Sequence, residues 1–507
     1  MSSYPTDAFM DSRCAFEALV GRLTAEETAH MDHDALEHIC STDGAELLRL
    51  LYDDHLELRS VREVATLEAM VGSDGQVRTE RRKGSRKLGT PFGPVTVRRM
   101  ALVKRGVSGG LRPLDAELNL PVGKHSFGVQ REVAWGVAQC SFEATVDNVR
   151  RTSAATLGKL QVENLTVQLA TDFEEFYMDR PLEEERPGDL LVLTFDGCGI
   201  VMREEGLRPA TRAKARKSKN MRSLAESAAT NVSRSERVNS KRMAEVACVY
   251  SLEPVPRSPD DVLRELHRAG PWLPRPRPLN KRVWASVARP LHDVMDEAFL
   301  EALQRDPDRL RTWAAVVDGN EEQIRWLHRL ARNIKVNLVI ILDFIHVLGY
   351  LWKAGKVLAG PDKVAIEEWV EVRARRLLNG KVSGVAAGMR RAATARKLDA
   401  ETRGPVDACA NYLLKYKKYL RYDEYLRKGL PIASGVIEGA CRSLVRDRMD
   451  ITGARWGLAS AEAVLELRAL RASGDLGQYL DYHFARERER NHLSQFGPEV
   501  LLHLRAA

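Results

Sequence analysis

Three acidic residues of this 507-residue chain stand in similar local settings. Asp196 ends the apolar run LLVLTF, Asp318 ends WAAVV, and Glu438 stands at the start of an amphipathic helical pattern, GVIEGACRSLV. Each is followed at once by glycine, whose backbone can turn away and leave the carboxylate at a sheet edge. Hard divalent cations take such oxygen ligands, and magnesium is held by a few carboxylates together with waters and substrate phosphates. Two such ions about 3.5 to 4 Å apart clamp the attacking and leaving oxygens of a phosphodiester. On the helical pattern Ile437, Ala440, Cys441, Leu444 and Val445 make an apolar face, so Glu438, Arg442 and Arg446 share another. A carboxylate with guanidiniums one and two turns away suits a metal site beside a phosphate backbone, because arginine pairs phosphate through two parallel hydrogen bonds.

Each of these residues also has a plainer use. Asp-Gly is a common turn, and Glu438 could be an ordinary salt-bridged helix residue. Asp343 and His346, in LDFIHV, read locally as a buried hydrogen-bonded pair holding helix to sheet. Trp456, in GARWG, reads as a core tryptophan or as an aromatic that stacks on an unpaired base near a cleaved end. The window 203 to 242 carries twelve Lys and Arg against four Glu, among them Lys214, Arg216, Lys217 and Lys219. Such a run is usually a solvated loop, but directly after a candidate acidic site it is also what a polyanion meets on entering.

The elements that must position these residues follow from the pattern of the chain. Residues 1–88 read as an N-terminal helical region ending in a basic patch, RTERRKGSRK, for which a solvated linker is preferred to a DNA arm. PFGPVTVRRMALV, from 91, alternates enough for a short strand pair. Helical patterns near 129–139, 142–150 and 153–168, the last with Ser153 as its N-cap, fit a helix-turn-helix within a region spanning 89–180. The Asp-Gly at 196 is read as a buried strand turning sharply into a second one, and MAEVACVYSLEPV as another strand. Strand-to-helix units at TWAAVVDGN and VNLVIILDF complete the first part of an α/β domain, 181–358. An all-helical insertion, 359–428, separates it from the last part of that domain, 429–475, and a helical tail, 476–507, follows.

Composition narrows the function classes. Lys and Arg total 78 against 70 Asp and Glu, a formal charge of +8, and 44% of residues are hydrophobic, which excludes a mainly disordered chain. Seven scattered cysteines without a C-x-x-C pair exclude a disulfide scaffold and point to a reducing compartment. The start lacks a basic segment followed by an apolar one, so no secretory signal is expected, and the most apolar stretch, 336 to 352, is interrupted by Asn337, Asp343 and His346. A cytoplasmic protein without membrane partners is expected.

The blocks LRPLDAELNLP, LTFDGCGIVMR, RTWAAVVDGNEEQIR, LVIILDFIHVLGYLWKA, KYLRYDEYLRKGLPIASGVIEGACRSLVRDRMDITGARWGL and AEAVLELRALRASGD resemble bacterial insertion-sequence transposases of the ISKra type, in order over roughly 90 to 493. That family belongs to the DDE class, so the resemblance implies an RNase H-like catalytic domain interrupted by the helical insertion and preceded by helical and helix-turn-helix DNA-binding regions. It implies Asp196, Asp318 and Glu438 as catalytic metal ligands for two Mg²⁺ or Mn²⁺ ions, with Asp343, which also ends an apolar strand, as the alternative to Asp318. Asp343 and His346 match a D-x-x-H signature that supports the site. The resemblance also implies DNA contacts, which we assign to Lys214, Arg216, Lys217, Lys219, Arg442, Arg446 and Trp456. Partners would be double-stranded DNA, both terminal inverted repeats and target, and further copies of the chain in a homodimer or larger oligomer, in a nucleoid-associated setting. Relatives carry a cysteine-rich, zinc-ribbon-like stretch before PLD, whereas MALVKRGVSGG here has no cysteine, so no zinc is expected. The implied reaction is in-line attack of water on a DNA phosphodiester, followed by attack of the freed 3′ hydroxyl on target DNA. It needs no covalent intermediate, so Cys198 reads as a small packing residue. An RNase H-like nuclease or resolvase, and a non-enzymatic DNA-binding regulator, are the alternatives.

Overall fold

Residues 8–225, 240–268, 270, 276–451 and 453–506 are described by the computed structural model. They fall into two units, Met1–Asp179 with Gly474–Ala507, and Arg180–Ser473. The whole is a mixed α/β protein.

The first unit opens with α1 (Met10–Leu23) and α2 (His33–Thr66), the second started by the Asp32 carboxylate accepting from the Ala35 N–H. A short strand pair, β1 (Met70–Val71) and β2 (Val77–Arg78), leads into an antiparallel ribbon of β3 (Glu80–Thr90) and β4 (Gly93–Val103). The expected helical region therefore stops at Thr66, and the basic patch expected as a linker is itself a strand. Its partner is the alternating segment after it, so PFGPVTVRRMALV supplies one strand and not two. Pairing is fixed at that end by Leu88, Val95 and Val97, which bury against Leu56 and Leu120.

Next come α3 (Pro113–Glu117), α4 (Phe127–Val137), α5 (Phe142–Thr152), α6 (Lys159–Leu169) and α7 (Phe173–Asp179). Ser126 and Ser141 cap α4 and α5. Ser153 does not start a helix as expected. It closes α5, donating its hydroxyl to the Val149 carbonyl, and α6 begins after Gly158, whose N–H is taken by the Gln161 side chain at 2.8 Å.

The second unit is built on β5 (Leu190–Val201), followed by α8 (Pro209–Ala225), β6 (Lys241–Leu252), α9 (Pro259–Leu266), β7 (Leu279–Ser286), α10 (Leu291–Arg305), β8 (Trp313–Val317), α11 (Glu321–Asn333) and β9 (Leu338–Leu342). The sheet order is β7-β6-β5-β8-β9, with β5, β6 and β7 antiparallel neighbours and β8 and β9 parallel to β5. Leu190 to Phe195 and Trp313 to Val317 are buried throughout, as strands covered on both faces must be. A helical stretch follows: α12 (Phe344–Leu358), α13 (Lys363–Leu378), α14 (Val382–Ala395), α15 (Ala400–Lys415) and α16 (Tyr422–Arg427). The unit ends with α17 (Gly435–Ala440), a π-helical turn (Cys441–Arg446), α18 (Asp447–Met449) and α19 (Leu458–Ser473).

The expected tail, 476–507, forms α20 (Leu476–Asn491) and α21 (Pro498–Ala506) and belongs to the first unit. There the Tyr479 hydroxyl donates to the Leu169 carbonyl at 2.6 Å, and His483 Nδ1 lies 2.6 Å from the Asp172 carboxylate. Among the described residues no helix is long and apolar enough to cross a membrane.

Candidate functional site

Parallel pairing places two of the candidate aspartates at equivalent positions. The β5–β8 ladder ends at Thr194 opposite Val316, so continuing it by two residues sets Asp196 beside Asp318. The β8–β9 ladder ends at Val317 opposite Leu342, and the next residues are Asp318 and Asp343. All three carboxylates thus stand at one edge of the sheet, the C-terminal ends of β8 and β9 and the matching level of β5.

The two Asp-Gly dipeptides behave differently. Gly319 has φ +101°, and a Cβ there would meet the Tyr412 ring at 3.2 Å, so the chain does turn away after Asp318. At Asp196-Gly197 the expected turn is absent. β5 runs through it, paired to β6 at Asp196 opposite Val246 and on to Val201 opposite Lys241. An uninterrupted partner strand satisfies the backbone there, and what Gly197 supplies is smallness, since a Cβ would lie 2.8 Å from Met243 Cε.

Helices of the insertion hold these strand ends. Tyr412 donates its hydroxyl to the Asp318 carbonyl at 2.8 Å, Tyr416 to Gly319 at 2.6 Å, and Tyr422 to Leu342 at 2.8 Å. Strand carbonyls that run out of sheet partners must find other donors, and these phenols supply them. Tyrosines recur every three or four residues from 412 to 425, a periodic signal present in the sequence itself.

Asp343 is saturated. Oδ1 accepts from the Ile345 and His346 N–H groups at 2.6 and 3.2 Å, and Oδ2 from the Ser434 N–H at 3.0 Å and from the Ser434 hydroxyl. It is 3% exposed and caps α12. Its partner is the His346 backbone and not the expected imidazole, which is exposed beside the Tyr350 and Tyr412 rings. Asp318, half-buried, accepts one hydrogen bond, from the Asn320 N–H at 2.9 Å. Asp343→Asn, which turns an amide toward N–H donors, is therefore expected to cost about 1–3 kcal/mol for each donor left unsatisfied. Asp318→Asn keeps its acceptor and should melt with the wild type; equal thermal midpoints for the two variants would contradict this division.

Glu438 is exposed on α17, yet its carboxyl is raised above the ordinary range by partial burial and by the Asp343 and Asp196 carboxylates, against the opposing pull of His346 and Arg446. Ile437, Ala440, Cys441, Leu444 and Val445 are all buried. The helix is not regular beyond Ala440, however. The π-helical turn widens the spacing, so the expected single face carrying Glu438, Arg442 and Arg446 at four-residue steps is interrupted. Arg442 is exposed, 3.7 Å from Asp447, and Arg446 interacts with Asp196 and Cys198. The π-turn is held by the buried Arg468 of α19, which donates to the Leu444 carbonyl at 2.9 Å and to that of Ser443.

Other neighbours were not foreseen. The Cys441 thiol donates to Asp196 Oδ2 at 3.2 Å and lies against buried Cys198. Glu245, opposite Gly197 on β6, has its carboxyl raised by burial, Arg208 opposing, with Glu322 and Asp196 adding to the rise. Repelling carboxylates at one edge form a field that a cation relieves. Among the described residues no three His, Cys, Asp or Glu side chains converge as a metal-holding group.

The basic window is in part α8 and not a loop. Lys214 and Lys217 are exposed there, and Arg216 pairs with Glu204 at 2.5 Å. The Lys219 side chain and residues 226–239 lie outside the described residues. Trp456 is 6% exposed, with its indole N–H 3.2 Å from the Met449 carbonyl and Arg448 4.6 Å from its ring. It occupies a core position, which leaves the expected base stacking without an open ring.

No family model and no curated protein sequence matches the chain.

Proposed function

We propose that the chain is an ISKra-type DNA transposase of the DDE class, cleaving DNA at element ends and joining the freed 3′ ends to a target. The observation that carries this reading is the placement of Asp196 and Asp318 at equivalent positions of neighbouring parallel strands, with Glu438 in electrostatic contact with Asp196. Further support comes from the strand order. Three antiparallel strands followed by two parallel to the first, in the order 3-2-1-4-5, make a mixed sheet that supports the RNase H-like reading. The helical insertion falls between the last strand and the helix bearing Glu438.

All-oxygen, mutually repelling carboxylates fit a hard cation, and Asp196, Asp318 and Glu438 would hold it. Bound there, Mg²⁺ or Mn²⁺ supplies Lewis-acid stabilisation of charge on the phosphate oxygens. The chain's own residues position the rest. Tyr412 and Tyr416 fix the backbone that presents Asp318, the Cys441 thiol orients Asp196, and Arg446 offers a cation for the scissile phosphate. Duplex DNA and a homodimer or larger assembly are the corresponding partners.

The test uses duplexes ending in the element's terminal inverted repeats, taken from the flanking genomic sequence, with Mg²⁺ or Mn²⁺ and a second DNA. Nicking followed by joining is expected from the wild type, with both lost in Glu438→Gln while end binding persists. Nicking without joining would indicate a nuclease or resolvase, and binding without nicking a regulator; either would overturn the proposal.

A further inference from the structure

The first unit carries a basic trough that none of the candidate site residues touches. It is a cavity of about 820 Å³ between the β3–β4 ribbon, where residues 82 to 85 of β3 reach it from its rim, and the loop after β4. Arg82, Lys83, Arg99, Lys104, Arg105 and Arg112 line it, against one carboxylate, Glu80. In the ribbon register Gly84 lies opposite Arg99 and Ala101 opposite Arg82, so each arginine faces a small residue across the strands. The loop is clamped where Leu102 and Leu111 exchange two backbone hydrogen bonds of 2.8 and 2.9 Å. The backbone that carries the basic residues on both walls is therefore fixed and not a free strand.

The charges in the trough are poorly compensated. Among the described residues Arg82, Lys83, Arg105 and Arg112 have no carboxylate within salt-bridge distance, and all four are exposed. Arg99 lies 3.3 Å from Asp115, but its Nη1 is buried without a hydrogen-bond partner. Burial lowers the Arg99 guanidinium's proton affinity, Asp115 opposes that, and the nearby Arg112 lowers it further. Like charges crowded into a concave surface raise the potential there and favour an anion with repeated charges. A sugar-phosphate strand fits this chemistry, since guanidiniums take phosphate oxygens in pairs and successive phosphates match a row of cations.

We propose that this trough binds the phosphate backbone of double-stranded DNA, independently of base sequence. The assignment rests on the transposase reading for its choice of DNA as the polyanion. It also gives the start of the basic strand, residues 80 and 82–85, a role as a fixed docking surface.

The experiment is duplex binding by the full-length protein across a series of KCl concentrations, using labelled DNA of unrelated sequence. Arg82→Gln, Lys83→Gln, Arg105→Gln and Arg112→Gln are combined, and the loop pair Arg105→Gln/Arg112→Gln is measured separately as the milder change to the fold. The quadruple variant is expected to bind at least about tenfold more weakly, with the slope of log K against log salt shallower by about 0.9 for each phosphate no longer neutralised, and the loop pair to fall between it and the wild type. Wild-type slopes in both variants, with nicking of element ends intact, would overturn the trough and leave the transposase reading standing. Trough-dependent binding by a wild type that never nicks DNA would do the reverse. Stronger trough-dependent binding of single-stranded RNA would overturn DNA as the occupant.

Discussion

Asp196→Asn is expected to give a folded, DNA-binding protein whose cleavage of element ends falls by on the order of 10³-fold or more, the several kcal/mol that a metal contributes to a phosphoryl-transfer barrier. Asparagine keeps the shape: its carbonyl oxygen can accept from the Gly197 N–H, as Asp196 Oδ1 does at 2.7 Å, while its NH2 replaces Oδ2 and can donate to the Cys441 sulfur now 3.2 Å away, so the strand should be undisturbed. What is lost is the negative charge at the sheet edge. Initial nicking rates at saturating Mg²⁺, with DNA affinity and thermal midpoint measured on the same preparations, separate loss of chemistry from loss of fold. Nicking within a few-fold of wild type would remove Asp196 from the site.

Glu301→Gln is expected to destabilise the second unit by up to about 3–5 kcal/mol, because it removes the carboxylate that three guanidiniums share and leaves Arg282 with Glu297, and Arg305 with Glu185 at 3.8 Å, to balance them. Glu301, 1% exposed on α10, lies 2.6 Å from Arg282, 2.5 Å from Arg305 and 3.2 Å from Arg180. Burial by itself pushes its carboxyl up, but the three arginines outweigh burial and hold it at about 2, below the ordinary 4.5. A depressed carboxylate contributes stability that is present above about 4.5 and lost as the pH falls through about 2. The gap between wild type and Glu301→Gln in urea midpoint should therefore be widest near neutrality and narrow below pH 4.5. A gap independent of pH, or none, would show that the charge is not what the cluster needs.

Local features of the sequence carried as far as element type where the pattern had one solution. Leu190 to Phe195 is apolar but for Thr194, and only a strand covered on both faces buries it; VNLVIILDF reads directly as a strand feeding a helix, while Asp343's role as that helix's cap came from the structure. The sequence also marked Asp196, Asp318 and Glu438, since acidic residues against apolar runs are costly unless exposed at an edge. Whether Asp-Gly turns depends on what lies alongside. β6 pairs straight across Asp196-Gly197, while Tyr412 and Tyr416 take the carbonyls at Asp318-Gly319, and neither partner is near in the chain. The basic segment 80–87 has a strand's fate only because β4 offers it a ladder and α2 buries Leu88. Ser153 could cap either neighbour, and the extended backbone after α5 decided against α6. The saturation of Asp343 by Ser434, 91 positions away, and the widening of the Glu438 helix over Arg468 belong to tertiary structure alone, because hydrogen-bond partners that distant in sequence leave no periodic trace in it.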